Sequence, residues 1–530
     1  MNNSKTGPSG RPDNTGTVAR NSFWYGLELL FTFGAAFLTS VAVARVVGPD
    51  RLNYYSFVVV LTNITITVGS FGLPVTTRKY MAEYLNRGDA GVARAIYVST
   101  LKIQLLISLG ITAVLLVWVL GWGAPEYLLA SLFLVAAMAP RIVGTIPSQA
   151  NNAAEAMRRN TVPALIGGML TTAMTIVALL ICRGHASAAQ HNWDLLSVAA
   201  AVAAGSYLEC GLKLRSVELW LGGVARGTFA PELKKRMFAY SSQGLALMLL
   251  NIVVWDKSDT LFLQFLNAGR NQVTFFSTAF NLVEKILMIP VSFGTSLSAT
   301  MMAQFGRGQA RLKQMTVDGA RYALLVSLPL LLGMACISPL VPMLYGDKYR
   351  PMVATLAIVA AMAIPKALVY APVMLLQATE RQGFLIVWTC ICGAVDMGLD
   401  ILLIPHLGAN GAAIANGTAQ TVACLGMWIY AWKADALDLK LGDAGRIAAS
   451  GAIMALGVLA TPRVLPGAVG MFASIAVGAA LWFIALRVTR ALKPEDVSRV
   501  LSLGGRFPAP VRPHWRRLVA WLAPGGNFDL

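Results

Sequence analysis

Four basic side chains lie inside long apolar runs: Lys102, Arg141, Lys285 and Lys366. A cation at the centre of a bilayer costs roughly 2.5–3.5 kcal/mol on insertion scales, so each needs a partner, a route to the interface or a function. Lys102 falls near the end of its run and can snorkel. Arg141, Lys285 and Lys366 lie deeper and are the expected anion-binding groups. Cations gathered in a poorly hydrated cavity make an anion site, where Arg supplies a fork suited to phosphate and Lys a point charge. Acidic residues also fall in or beside apolar runs: Glu28, Glu209, Asp256, Asp259, Glu284, Asp396 and Asp400. Glu28, Glu284, Asp396 and Asp400 are the candidates to carry coupling ions or to neutralise the cations, Glu284 beside Lys285 and Asp396 or Asp400 for Lys366. Asn281, Gln377, Asn416 and Gln420 either line a sugar path or hydrogen-bond between helices.

Nothing in the chain reads as a catalytic constellation. The histidines are His185, His191, His406 and His514, all in loops or the tail, and no phosphate-binding Gly-rich loop is present. The pair Cys390–x–Cys392 lacks a second pair or a nearby histidine, so no metal site and no cofactor are expected.

The elements that must position these groups are membrane helices. The chain of 530 residues is 56% hydrophobic and 13% charged, with mean hydropathy +0.62. A soluble domain carries about 25% charged residues. About fourteen apolar stretches of roughly twenty residues can be drawn, which gives an all-α integral membrane fold. Residues 1–21 read as a disordered cytoplasmic tail, with neither the apolar core nor the cleavage site of a signal peptide. Residues 22–216 form an N-lobe of six helices, 217–237 a cytoplasmic linker, 238–432 a C-lobe of six more, 446–487 a further pair, and 488–530 a basic cytoplasmic tail. The net charge of +18 lies mainly in loops and tails. With both ends in the cytoplasm, inside loops hold roughly four times the Lys and Arg of outside loops, as the positive-inside rule requires. The charge therefore speaks of topology and anionic lipids, and not of nucleic acid. In the tail, Trp515-Arg516-Arg517-Leu518-Val519-Ala520-Trp521-Leu522 reads as an interfacial helix.

The chain also repeats itself. At an offset of 221, Tyr54-Tyr55-Ser56 meets Phe275-Phe276-Ser277, and Met81-Ala82-Glu83-Tyr84 meets Met302-Ala303-Gln304-Phe305. At an offset of 225, Pro140-Arg141 meets Pro365-Lys366, Pro147 meets Pro372, and Glu155 meets Glu380. Six helices separate the matches, and six is even, so the halves are parallel repeats. Two such lobes have their natural cavity at their interface and alternate access by rocking, with Arg141 and Lys366 in matching positions.

Gly48-Pro49, Tyr54-Tyr55-Ser56, Gly72-Leu73-Pro74 and Arg78-Lys79-Tyr80 resemble the second-helix region of polysaccharide transporters. Asp259, Leu344-Tyr345-Gly346-Asp347-Lys348-Tyr349, Leu376-Gln377-Ala378 and the stretch from Leu403 to Ala413 fit the same pattern, so the likeness covers nearly the whole chain. It resembles the oligosaccharide-lipid flippase (Wzx-type) family of the multidrug, oligosaccharidyl-lipid and polysaccharide exporter superfamily. The resemblance implies a flippase for undecaprenyl-diphosphate-linked oligosaccharide in the bacterial inner membrane, serving O-antigen or exopolysaccharide synthesis. It implies as partners the lipid-linked substrate, membrane lipids, and the polysaccharide polymerase and chain-length proteins. A lipid II flippase of peptidoglycan synthesis has the same architecture and is the alternative. A drug or cation antiporter of the superfamily is disfavoured, because a cationic cavity repels cationic drugs. A membrane polymerase or ligase should show a large basic periplasmic loop, which is lacking.

Overall fold

A computed structural model describes residues 15–183, 192–228, 230–255, 258–266, 271–304, 309–379, 381–435, 437, 441–465, 467–493 and 496. These residues are helical throughout apart from short connections. Ten helices among them are long and apolar enough to cross a membrane, and Phe472–Val488 adds a shorter apolar one. Residues 238–255 and 273–300 of the expected segments also lie on helices, and 409–432 lies on Ala409–Asp435, which carries the polar Asn410, Asn416 and Gln420. The chain divides into two compact units, Met1–Val253 and Val254–Leu530.

The first unit contains α1 (Thr15–Val47), α2 (Pro49–Ser70), α3 (Leu73–Asn86), α4 (Ala90–Trp122), α5 (Leu128–Val143), α6 (Thr145–Ala153), α7 (Arg158–Arg183), α8 (Trp193–Leu221) and most of α9 (Pro231–Trp255). α1 begins inside the stretch expected as a tail, and residues 1–14 lie outside the described residues. Local chemistry sets several ends. α2 starts at Gly48, with φ +81, followed by Pro49, whose missing N–H costs nothing at a helix start. Asp89 caps α4 by accepting from the Val92 N–H at 3.0 Å. The second expected segment, 54–76, is not one helix. It breaks at Phe71 and Gly72, both left-handed, because α9 comes close: a Cβ on Gly72 would stand 2.3 Å from the Ser241 carbonyl oxygen. The fourth expected segment, 126–148, breaks at Gly144, between Pro140 and Pro147.

α7 packs on α8 and on α1, and α5 on α4 and α8. Met81, Ile96, Ile146 and Val217 make a buried cluster that Leu233 and Met237 of α9 complete. This packing places α9 with the first unit up to Val253, where the sequence suggested that the second lobe begins at 238. α4 turns Leu106, Val114, Val117 and Leu120 outward, the face expected against lipid.

The second unit contains α10 (Ser258–Phe265), α11 (Gln272–Gln304), α12 (Gln309–Ile337), α13 (Val341–Tyr345), α14 (Met352–Ala378), α15 (Gln382–Leu407), α16 (Ala409–Asp435), α17 (Leu441–Val464) and α18 (Ala468–Val488). α14 packs between α12, α11 and α16, and α15 covers α16. The appended pair α17–α18 docks on α12 through Leu324, Leu328, Ile447, Met454, Val458 and Trp482. Beyond α18 the chain is tied back: Arg321 donates to Asp496 at 2.7 Å and to the Ala491 carbonyl, Tyr322 donates to Asp496 at 2.6 Å, and Lys493 pairs with Asp443 at 2.5 Å. The segment 515–522 lies outside the described residues.

Candidate cation and substrate site

α10 carries Asp259 in its first turn, and α15 carries Asp396 and Asp400 one turn apart on one face. The packing of α10 on α15 and α16 brings the three together. Their carboxylate oxygens lie within 4.8 Å of one another, and all three residues are 0% exposed. α16 supplies the only bond to them that the described residues show. Asn416 Nδ2 donates to Asp259 Oδ2 at 3.0 Å, and Gln420 Nε2 donates to Asn416 Oδ1 at 2.5 Å. Among the described residues, no amide, hydroxyl or cationic group donates to Asp259 Oδ1 or to either oxygen of Asp396 and Asp400.

Three carboxylates cannot all stay charged, buried and uncompensated, because desolvation and mutual repulsion both oppose it. Among the described residues no cation is shown paired with them, and protons or a bound cation would relieve the group. Its donors are hard oxygens, which suit sodium, magnesium or calcium and not zinc or copper. The sequence reading assigned no metal ligand. The Asp396–Asp400 spacing already put two carboxylates on one face; the arrival of Asp259 from a distant helix is what it missed.

The sequence expects Lys366 to pair with Asp396 or Asp400. None of the four oxygens accepts a hydrogen bond from Lys366. Lys366 is 7% exposed, and its ammonium lies 5.4 Å from the centroid of Phe280. It lines a small pocket with Glu284 of α11 and Asn416 and Gln420 of α16. The pocket has room for roughly one water, not for a sugar. Asn416 and Gln420 thus face the lysine pocket on one side and reach the carboxylate group on the other.

The other candidates stand elsewhere. Lys285 is half-buried beside Glu284 and does not line the pocket. Arg141 belongs to α5 of the first unit and is exposed. Glu28, on α1, accepts from the Thr161 hydroxyl at 2.9 Å and so ties α1 to α7.

Residues 18–305 match the family described as polysaccharide biosynthesis protein. The chain belongs to this family. No curated protein sequence matches significantly. Among solved structures, this family member is similar to the lipid II flippase MurJ in an inward closed conformation, with TM-score 0.65 and 12% identity over 89% of this chain and 98% of that one. It is also similar to an inward-facing multidrug resistance MATE family transporter of the MOP superfamily, with TM-score 0.62 and 14% identity over 76% and 94%. A MOP superfamily transporter from Pyrococcus furiosus, described as having a binding pocket of reversed polarity, gives 0.58 and 15% over 80% and 97%. At such identities the likeness speaks for the fold. The polysaccharide biosynthesis family member is therefore a multi-pass helical membrane protein with the MOP transporter fold.

Proposed function

We propose that this protein flips undecaprenyl-diphosphate-linked oligosaccharide across the bacterial inner membrane for O-antigen or exopolysaccharide synthesis. Both termini are cytoplasmic in this reading, and polymerase and chain-length proteins take the product onward. The observation that carries it is the Lys366 pocket joined through Gln420 and Asn416 to a buried group of three carboxylates. In this reading Lys366, Lys285 and Arg141 are each cations that the diphosphate meets on its way across. The Asp259, Asp396 and Asp400 group takes a cation or protons when the site opens and gives them up when it closes, which biases alternating access. A diphosphate carries about two negative charges, and the field supplies roughly 2.3 kcal/mol per charge per 100 mV for outward movement. An inward cation adds to that bias.

The test is flipping of a fluorescent polyprenyl-diphosphate oligosaccharide in proteoliposomes with imposed gradients. Arg141→Ala and Lys366→Ala should each lower the rate at least tenfold at normal protein levels, and Lys366→Arg should do less harm. Collapsing the potential, or removing both sodium and the pH gradient, should slow the wild type. Normal flipping by both alanine variants, or indifference to every gradient, rejects the reading.

The likeness to MurJ favours one alternative, a lipid II flippase. Rescue of cells depleted of their lipid II flippase, with surface polysaccharide unaffected by loss of this gene, would select it.

A further inference from the structure

At one end of the first unit, α3 and α9 meet around two tyrosines. Tyr80 and Tyr240 stand edge to face, with ring centroids 6.1 Å apart and planes at 86°. Lys79 Nζ lies 3.8 Å from the centroid of Tyr240 and 5.4 Å from that of Tyr80. From α9, the Arg236 guanidinium lies 5.8 Å from the Tyr80 centroid. Two exposed cations thus share one buried ring. No described carboxylate answers either of them. Glu83, one turn beyond Lys79, is taken by Arg87 at 2.6 Å. Glu232, one turn before Arg236, makes no ion pair with it.

Like charges so placed repel each other, and the aromatic faces hold them where an anion would be welcome. The junction beneath them is fixed. Ser241 Oγ donates to the Phe71 carbonyl at 2.6 Å, and Gly72 lets the two backbones touch. A point-charge ammonium and a planar guanidinium, both held against the Tyr80 ring, suit the oxygens of a phosphate. The charge bias of the loops sets this end at the cytoplasmic interface, where anionic headgroups gather.

We infer that Lys79 and Arg236, held over Tyr80 and Tyr240, bind the phosphate headgroup of a lipid at the cytoplasmic interface. Two lipids share that chemistry: a resident anionic phospholipid and the incoming diphosphate-linked carrier. The second arm rests on the flippase reading. Binding is measured without transport, so a failure of that reading leaves the site itself standing.

The full chain in maltoside micelles is titrated with dioleoylphosphatidylglycerol, dioleoylphosphatidylcholine, geranylgeranyl diphosphate and inorganic pyrophosphate. The Lys79→Gln/Arg236→Gln variant should bind at least one of the two anionic lipids tenfold more weakly, with phosphatidylcholine unchanged. Selective loss of phosphatidylglycerol identifies a resident phospholipid, and selective loss of the diphosphate identifies the carrier headgroup. Lys79→Arg/Arg236→Lys should keep binding within about threefold, which separates charge loss from misfolding. Lys234→Gln/Lys235→Gln removes the same charge from the same helix and should change binding less than twofold. Three results would overturn the assignment: unchanged affinity in the first variant, an equal loss in the Lys234/Lys235 control, or inorganic pyrophosphate binding as tightly as the lipid diphosphate.

Discussion

In the first unit the segments that the repeat equates with α11 and α14 are each broken, at Phe71–Gly72 and at Gly144. In the second unit α11 and α14 run through, α14 even across Pro365 and Pro372. Proline alone therefore does not set the break, because Pro140 and Pro147 have the same spacing. The residue between them differs: Gly144 in α5–α6 stands where α14 has the buried Val369, at the offset of 225. The charges diverge as well. At that offset Asp396 and Asp400 fall on Thr171 and Thr175 of α7, so only one half carries the carboxylate group. The cations part too, with Lys366 buried and Arg141 exposed. The duplicated pattern has kept the helices and divided the chemistry.

That division predicts unequal responses to matched substitutions. The largest concerns the carboxylates. Asp396→Asn with Asp400→Asn should reduce surface polysaccharide at least tenfold, while Thr171→Val with Thr175→Val should leave it within about twofold. Equal effects in immunoblots of surface glycan would erase the proposed asymmetry. A smaller effect concerns the break. Gly72→Ala forces a left-handed alanine against the Ser241 carbonyl and should cost about 2 kcal/mol or more. Gly110→Ala, with open space at its Cβ, should stabilise or do nothing. Thermal unfolding in micelles distinguishes them, and equal melting temperatures would mean that α3 and α9 do not touch at Gly72.

The smallest effect concerns the tie beyond α18, which the second unit alone carries. Burial opposes the Asp496 charge, yet hydrogen bonds from Arg321, Tyr322 and the Lys493 N–H hold its carboxyl below the ordinary value. A depressed folded value stabilises above the unfolded pKa of about 3.9 and stops doing so as pH falls through the folded one. Asp496→Asn should therefore lower the melting temperature by a few degrees at pH 7. The gap between variant and wild type should close as pH drops below about 4. A gap that persists at low pH would assign the effect to packing.

The helices were legible because apolar runs of bilayer length have few other solutions. The two breaks were not, since Gly72 bends only because α9 arrives there from more than 150 residues away. Leu233 and Met237 likewise look like linker and helix start, and only their fit among Met81, Ile96 and Val217 assigns α9 to the first unit. At the candidate site, the spacing of Asp396 and Asp400 was visible. Their contact with Asp259 belongs to tertiary packing, which periodicity does not encode.

Arg321 and Asp496 are separated by 175 residues. At about 5–20 residues per second, that stretch takes roughly 10–35 s to synthesise. Through that interval the Arg321 guanidinium is made but its carboxylate is not. An unpaired buried cation is costly, so α12 cannot settle fully before the last helices emerge. The docking of α17, α18 and the segment after them is what covers that end of α12 and pairs its guanidinium.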